Sequence, residues 1–489
     1  MAEVPENFFW DRFPAGFYRK SLVYLGLCIL GTVLPAQAQT DDQGQRERVL
    51  DEPFRLMMDE QVPTEKRALF DWGGWFRSSY WYLDERVRRG PEGRDGSRGL
   101  RRQQVRLWGD LNIDQAHEFY ARGRLDYLDW NQGSSLDHND SDWEGADLER
   151  GWYRFQLSQW LGGRGEEAGD FDFSVKAGRQ YVEFGTGLTL SVPLDAVLAS
   201  ASYQNWQLTG LLARSIPSSK NIDRSVPGDE EESRNFWGVQ LNYRGWVDHT
   251  PFVYYYSQDD QDAGMVRDDQ VFGYDSRYVG MGSRGKFFHR DLQYSCEMAG
   301  EFGKSYAFSD EPDRQNIHAW AFDSELRYLV PDRRASQLSL GYLLTSGDSD
   351  RDYSPTNTIG GNRAHTVDTS FSGWGFRDTG LVLAPRPSNL GAVRLGASTF
   401  PLNEYKALER FQVGSNFYIY HKQQAGGAAS DTLSTQHDSF LGSEIDLFAN
   451  WQITADLAWA VHYGVFMPGD AFHSQRARQL FFTGLTLSF

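Results

Sequence analysis

Residues 101–131 read RRQQVRLWGDLNIDQAHEFYARGRLDYLDWN, and their pattern decides the fold. Val105, Leu107, Gly109, Leu111 and Ile113 fall on one face, while Arg102, Gln104, Arg106, Trp108, Asp110 and Asn112 fall on the other. After the short break Gln115-Ala116 the alternation resumes. Phe119, Ala121, Gly123 and Leu125 then oppose Glu118, Tyr120, Arg122, Arg124 and Asp126. A period of two marks a strand with one apolar face, and so short a break marks a hairpin. Late in the chain Leu441, Ser443, Ile445, Leu447 and Ala449 oppose Gly442, Glu444, Asp446 and Asn450 in the same way.

Extending this reading places strands near 72–84, 101–114, 117–131, 147–159, 172–182, 194–202, 205–216, 235–246 and 249–258. The series continues near 272–284, 291–303, 317–330, 335–346, 390–399, 409–421, 441–452, 455–467 and 477–489. Eighteen strands, an even number, suit antiparallel closure with both termini on one side. Even-to-odd links are short, at Gln115-Ala116, Gln204, Val247-Asp248, 331–334 and Thr454, with 160–171 the longest exception. Odd-to-even links are long and acidic or Gly-rich, at 85–100, 131–146, 217–234, 259–271, 304–316, 347–389 and 422–440. A sandwich or propeller has no reason to alternate its connections like this. Short periplasmic turns and long outer loops are the rhythm of an all-β transmembrane antiparallel barrel.

Composition agrees. Mean hydropathy is −0.57 although aromatics reach 15%. Helical spans of about 20 apolar residues are excluded by such an average, whereas a barrel strand shows lipid only every second residue. A net charge of −18 argues against nucleic acid as a partner. Residues 1–38 are expected to be a secretory signal peptide: Arg19 and Lys20 precede an apolar run over 21–34, followed by Ala36 and Ala38 in an A-x-A pattern. Residues 39–71, with Phe54, Leu56 and Met57, are expected to form an N-terminal periplasmic segment, whether a tail, a short helix or a plug, and 72–489 the barrel. The chain closes on Phe481, Thr483, Leu485, Leu487 and Phe489, an alternating strand with a terminal aromatic that resembles the recognition signal of outer-membrane barrels. The expected location is the bacterial outer membrane, in contact with its lipid, with both termini periplasmic. Aromatics near strand ends, from Trp72, Trp75, Tyr80, Trp81 and Tyr82 to Tyr254, Tyr255 and Tyr256, suit interfacial girdles or packing between sheets. With Cys28 in the leader, Cys296 is alone, so no disulfide or multi-Cys zinc site is expected.

No catalytic constellation emerges. The ten histidines form no H-E-x-x-H, and Gly185-Thr186-Gly187-Leu188 has neither a nucleophile elbow nor a P-loop around it. The protein is expected not to be an enzyme and to hold no resident cofactor. Acidic stretches at 137–142, 229–232 and 348–352 could take Ca²⁺ through carboxylate oxygens, although solvation is their commoner use.

The lumen-facing parity collects Arg77, Arg102, Arg106, Arg122, Arg124, Arg150, Arg154, Arg394 and Lys422. It also collects Asp110, Glu118, Asp126, Glu297, Glu301, Asp323, Glu325, Glu444 and Asp446. Basic residues lead on the first four strands and acidic ones later, an arrangement that sets a transverse field or braces the wall through ion pairs. Guanidinium forks there would attract carboxylates of a passing solute. The loop 347–389, with Arg351, Arg363 and Arg377, is a candidate plug or constriction.

Several islands resemble one family. Phe466-Met467-Pro468-Gly469-Asp470-Ala471-Phe472 resembles the F-x-P-G-D-A-aromatic segment of alginate export porins. Gly178-Arg179-Gln180, Arg150 with Trp152, Ser388-Asn389-Leu390, Tyr420-His421-Lys422 and Gly442-x-Glu444-x-Asp446 follow the family's order. The resemblance implies an eighteen-stranded barrel that secretes an anionic exopolysaccharide through an arginine-lined constriction, helped by periplasmic assembly proteins. Arg150 falls on a constriction position, Arg386 lies beside another, and Arg179 belongs to the same stretch. Ala460 and His462 stand where lumen arginines are expected, Met467 replaces a basic residue, and Tyr181 replaces an arginine. The cationic filter is thinned. Passive export of an alginate-like polymer is therefore set against uptake of a sugar or other small solute, and against a scaffold barrel around another envelope component.

Overall fold

The tight turns rest on residues that accept a left-handed backbone. Asp114 and Gln115 sit at φ 51° and 56°, Gln204 at 50° and Asp248 at 63°. Consecutive positive φ values match the right-handed twist of flanking strands and return the chain as a hairpin. The computed structural model describes residues 68–84, 97–131, 141–162, 164, 166–167, 169–216, 233–261, 265–267, 270–272, 274–287, 291–305, 314–350, 365–431 and 433–489. The proposed leader and most of the 39–71 segment lie outside these residues, as do Arg351, Arg363 and the acidic stretches 137–140 and 229–232.

Eighteen strands form one sheet: β1 (Ala68–Asp84), β2 (Ser97–Ile113), β3 (His117–Trp130), β4 (Ser141–Gln156), β5 (Phe171–Phe184) and β6 (Leu190–Tyr203). Then come β7 (Trp206–Ser215), β8 (Arg234–Tyr243), β9 (His249–Asp260), β10 (Asp275–Phe287), β11 (Leu292–Ser305) and β12 (Gln315–Leu329). The last six are β13 (Gln337–Thr345), β14 (Leu390–Thr399), β15 (Phe411–Lys422), β16 (Phe440–Gln452), β17 (Leu457–Pro468) and β18 (Arg478–Ser488). Each pairs antiparallel with its chain neighbours, and β18 returns to β1 from Trp75↔Ser488 to Asp84↔Gln479. The barrel is closed, so no sheet edge is left to satisfy in lipid. No described helix is long and apolar enough to cross a membrane.

Every expected strand is present, with three shifts. β1 begins at Ala68, inside the segment assigned to the periplasm. The end of the fourth expected strand is a short helix, α1 (Leu157–Gly162), which accounts for the long even-to-odd link. The β5–β6 link spans only 185–189, and β5 and β6 run closer together than the expected 183–193 loop allows.

Alternation sets the two faces. Phe70, Trp72, Phe76, Leu107, Phe119, Leu212, Met281, Met298 and Leu485 are exposed on the outside. Between them Trp75, Arg77, Trp81, Arg102, Arg106, Arg122, Glu297 and Glu301 are buried on the inside. The girdle assignment needs correction for some rings. Trp75, Trp81, Tyr254 and Tyr256 point inward and are buried, the last 0% exposed. Trp81, Tyr254 and Tyr256 belong to a packed core inside the barrel, with Val182, Phe184, Leu190, Phe236, Phe371, Tyr418 and Phe466, whereas Trp75 lies against Arg106 and Arg122.

Candidate functional site

Two chain segments fold into the lumen and meet. The first is the link between β13 and β14, of which 346–350 and 365–389 are described; the latter stretch crosses from the β10–β12 wall to the β14–β16 wall. At its start the Phe371 amide donates to Ser346 O (3.0 Å) and the Ser372 amide to Glu301 Oε2 (2.8 Å). Tyr274 and Tyr278 donate to the other oxygen of Glu301 (2.5 and 3.1 Å). At its far side the amides of Leu381 and Val382 donate to Glu444 Oε1, both at 2.6 Å, and that of Leu383 to Oε2 at 2.8 Å. The Leu381 amide also reaches Asp446 Oδ2 at 3.1 Å. Gly380 adopts φ +104° here, and a Cβ would lie 2.3 Å from the Tyr420 hydroxyl, so the turn over Glu444 needs glycine.

The second segment is the tip of the β5–β6 hairpin. Gly185 donates to Gln240 Oε1 (2.7 Å), and both Thr186 N and Oγ1 donate to Glu297 Oε2 (2.5 Å). Tyr254 donates to the other Glu297 oxygen (2.5 Å) and Tyr256 to Thr189 O (2.7 Å). The two segments are joined through backbone: the Phe376 amide donates to Gly187 O (3.1 Å) and the Ser191 amide to Trp374 O (2.9 Å). A Cβ on Gly375 would stand 1.9 Å from Leu188 O, so contact this close requires glycine. Arg377 locks the joint, donating to Thr186 O and Oγ1 and to Asp323 Oδ2 (2.8 Å). Burial works against its charge, yet Asp323 and Glu297 more than offset it and hold the guanidinium above its ordinary range.

Opposite this constriction stands the basic wall of β1–β5. Arg106 and Arg122 share Glu149 (3.1 and 2.8 Å), and Arg102 pairs with Asp126, which lies 3.9 Å from Arg124. Arg124 reaches Asp147 at 3.5 Å, and Arg154 pairs with Glu118. Glu149 can join the inward set because β4 carries a bulge there: Arg122 pairs with Arg150 but Gly123 with Leu148, leaving Glu149 as the extra residue. The cations also lie over rings. Arg106 and Arg122 are 5.6 and 5.4 Å from Trp75, Arg150 5.9 Å from Tyr181, and Lys176 3.9 Å from Trp152.

The sequence-selected residues thus separate into groups. Arg77, Arg102, Arg106, Arg122, Arg124, Arg150 and Arg154 are brought together on one arc, with Arg77 donating to Thr486 Oγ1 (3.2 Å). Glu444 and Asp446 do not line a free passage, because they hold the inward loop. Arg394 braces that loop through Asp378 (3.0 Å) and the wall through Glu325 (3.1 Å). Lys422 is buried and donates to Ser434 O and Gln436 O, tying down the β15–β16 link. Arg386 lies in the inward loop, where burial pushes its guanidinium down to about 10, so it stays charged at neutral pH. His462 is enclosed by Phe448 and Phe482. Arg179 leaves the set: its register partner Asp195 aligns with Arg214 on the face of Val197 and Leu212, outside the barrel.

The Pro468-Gly469-Asp470-Ala471 segment also has a structural use. Its Gly469 and Ala471 amides donate to Leu441 O and Phe440 O, while Arg478 lies over Phe466 and Phe472 and pairs with Asp431 at 2.6 Å. Sequence reasoning missed Glu149, Arg284 and Arg478. Arg284 reaches from β10 to Gly185 O and, at 3.4 Å, to Glu183. Its even position, in register with the inward-facing Tyr278 and Gly280 of β10, was the available signal. Among the described residues no group of three or more His, Cys, Asp or Glu side chains is placed to hold a metal.

A family model described as alginate export matches residues 69–484. No curated protein matches the chain in sequence. Among solved structures the barrel is similar to Pseudomonas aeruginosa OccK5 (OpdH), with TM-score 0.50 and 11% identity, covering 86% of this chain and 97% of that one. It is equally similar to Acinetobacter baumannii OccAB2, with TM-score 0.50 and 9% identity over 86% and 98% of the two chains. At such identities the likeness bears on the fold alone. The family match spans the barrel almost from end to end, and the chain belongs to the alginate export family, as an outer-membrane β-barrel channel and not an enzyme.

Proposed function

We propose that the channel passes an acidic polysaccharide outward, passively, along the basic wall of β1–β5. The observation that carries this reading is the pairing of cation with ring: Arg106 and Arg122 over Trp75, Arg150 over Tyr181, Arg154 and Lys176 over Trp152. Aromatic faces take the C–H side of a sugar, and guanidinium forks take its carboxylate. Carboxylates shared between two arginines keep those forks aligned without neutralising both. Family membership supports the same cargo class. In this reading the long loops face the exterior, both termini lie in the periplasm, and residues 1–38 are removed on export. Periplasmic assembly proteins would deliver the polymer.

The test is single-channel recording of the full-length mature protein in planar bilayers. Preference for chloride over potassium is expected, with block by oligouronates and little block by neutral oligosaccharides of equal length. Cation preference, or equal block by both sugars, would overturn the proposal.

One observation favours uptake of a small solute instead. The inward loop is held by Glu301, Glu444 and Asp446 across the lumen, which narrows the passage a polymer would need. Exopolysaccharide yield in a deletion strain, set against its growth on candidate solutes, separates the two readings.

A further inference from the structure

The outer face carries a feature that transport does not use. One rung of the sheet runs Arg179↔Asp195↔Arg214↔Asn235↔Asp259 across β5–β9, and Lys304 of β11 occupies the matching level opposite Asp275. Directly below it the rung Ala177↔Val197↔Leu212↔Trp237 is apolar, with Leu212 66% exposed. From the exposed Phe171, Tyr203 and Trp206 at the short-turn end, the charged rung lies eight residues up each strand. At about 3.3 Å per residue and a tilt of about 40°, that is roughly 20 Å of height, near the top of an apolar band about 25 Å tall. The rung therefore sits at headgroup level.

Its charge runs against the rest of the molecule. The chain has a net charge of −18, yet among the described residues Arg179, Arg214, Arg277, Lys304 and Arg314 gather along this rim with Asp195, Asp259 and Asp275. Two of those carboxylates are taken, Asp195 by Arg179 at 2.9 Å and Asp275 by Arg314 at 2.8 Å. Arg214 donates to the Ser233 hydroxyl (3.0 Å through Nε), and among the described residues Arg277 and Lys304 form no ion pair. Arg277 projects outward between exposed Phe302 and Val279, one rung lower.

We infer that this rim binds the phosphate groups of a phosphorylated glycolipid in the outer leaflet, with Arg214, Arg277 and Lys304 as the contacts. The inference uses the orientation proposed above, with the long-loop end outside. Basic residues at a membrane surface each strengthen binding to anionic headgroups by about fivefold. Three together predict about a hundredfold preference for the phosphorylated lipid over the same lipid without phosphate.

The experiment titrates the full-length mature barrel in detergent with bisphosphorylated lipid A, with its dephosphorylated form, and with inorganic phosphate, following bound lipid by native mass spectrometry. Lipid A should bind far more tightly than the dephosphorylated form, and millimolar phosphate should not compete. The triple variant Arg214→Glu, Arg277→Glu, Lys304→Glu should lose that discrimination while keeping its conductance. Equal binding of the two lipids by the unmodified protein overturns the proposal without recourse to any variant. So does competition by free phosphate at low concentration, or discrimination that survives in the folded triple variant. None of these outcomes depends on what the lumen transports.

Discussion

Replacing Glu444 by glutamine should free the inward loop from the β16 wall. The carboxylate receives three amides, from Leu381 and Val382 at Oε1 and from Leu383 at Oε2. A glutamine can keep one oxygen toward the first two, but its NH₂ then faces the Leu383 N–H, donor against donor. A hydrogen bond to a charged acceptor contributes about 1.5–3 kcal/mol, and an unsatisfied buried donor costs about 1–3 kcal/mol. Because these terms overlap, the net loss is about 2–4 kcal/mol. At 1.4 kcal/mol per decade this makes local opening roughly 30- to 700-fold more frequent. Hydrogen exchange reads such openings directly. Protection of amides 381–383 should fall by that factor while the amides of β16 and β17 keep theirs, and open-channel current should rise with added noise. Unchanged exchange at 381–383, with the variant folded, would falsify the role given to Glu444.

Two further perturbations address the wall and the seam. Glu149→Gln removes the carboxylate shared by Arg106 and Arg122. A unit charge about 8 Å from a hydrated path shifts chloride and potassium by about 0.5 kcal/mol each in opposite directions, so the chloride-to-potassium permeability ratio should rise about fivefold; a fall would contradict the wall's assignment. Deleting Phe489 removes both main-chain bonds with Gly74 (2.9 and 3.0 Å) at the point where the barrel closes. The fraction of protein migrating as folded barrel in unheated gels should drop and be restored by Phe489→Tyr, whereas normal assembly of the deletion would refute the seam's importance.

The strands were legible because lipid imposes a simple rule: every second residue from Val105 to Ile113 must be tolerable in hydrocarbon. The lumen parity of Glu297, Glu301, Glu444 and Asp446 was legible by the same rule. Their use was not. What they bind is main-chain N–H of residues far away in sequence, and an amide leaves no trace in residue type. A weaker signal was present. Tyr254, Tyr256, Tyr278 and Phe236 put large rings on the lumen parity of β8–β10, where water alone would not favour them. Such a wall needs something packed on it, and the β5–β6 tip and the inward loop supply it. The resemblance of Gly178-Arg179-Gln180 groups Arg179 with the lumen arginines, whereas its parity with Phe173, Val175 and Ala177 on β5 turns it to the outer face.

The way the inward loop is held has an evolutionary consequence. Wall carboxylates grip it by its peptide groups at Ser372, Leu381, Val382 and Leu383, while Phe371, Trp374, Leu381, Val382 and Leu383 pack into the core and Asp378 pairs with Arg394. Mutation can exchange the less buried side chains of the loop, such as Phe376 and Pro387, without releasing the main-chain grip on the barrier. A scaffold of this kind lets relatives change the molecule they admit by drift within a single segment, while the eighteen strands and their acidic brackets stay as they are.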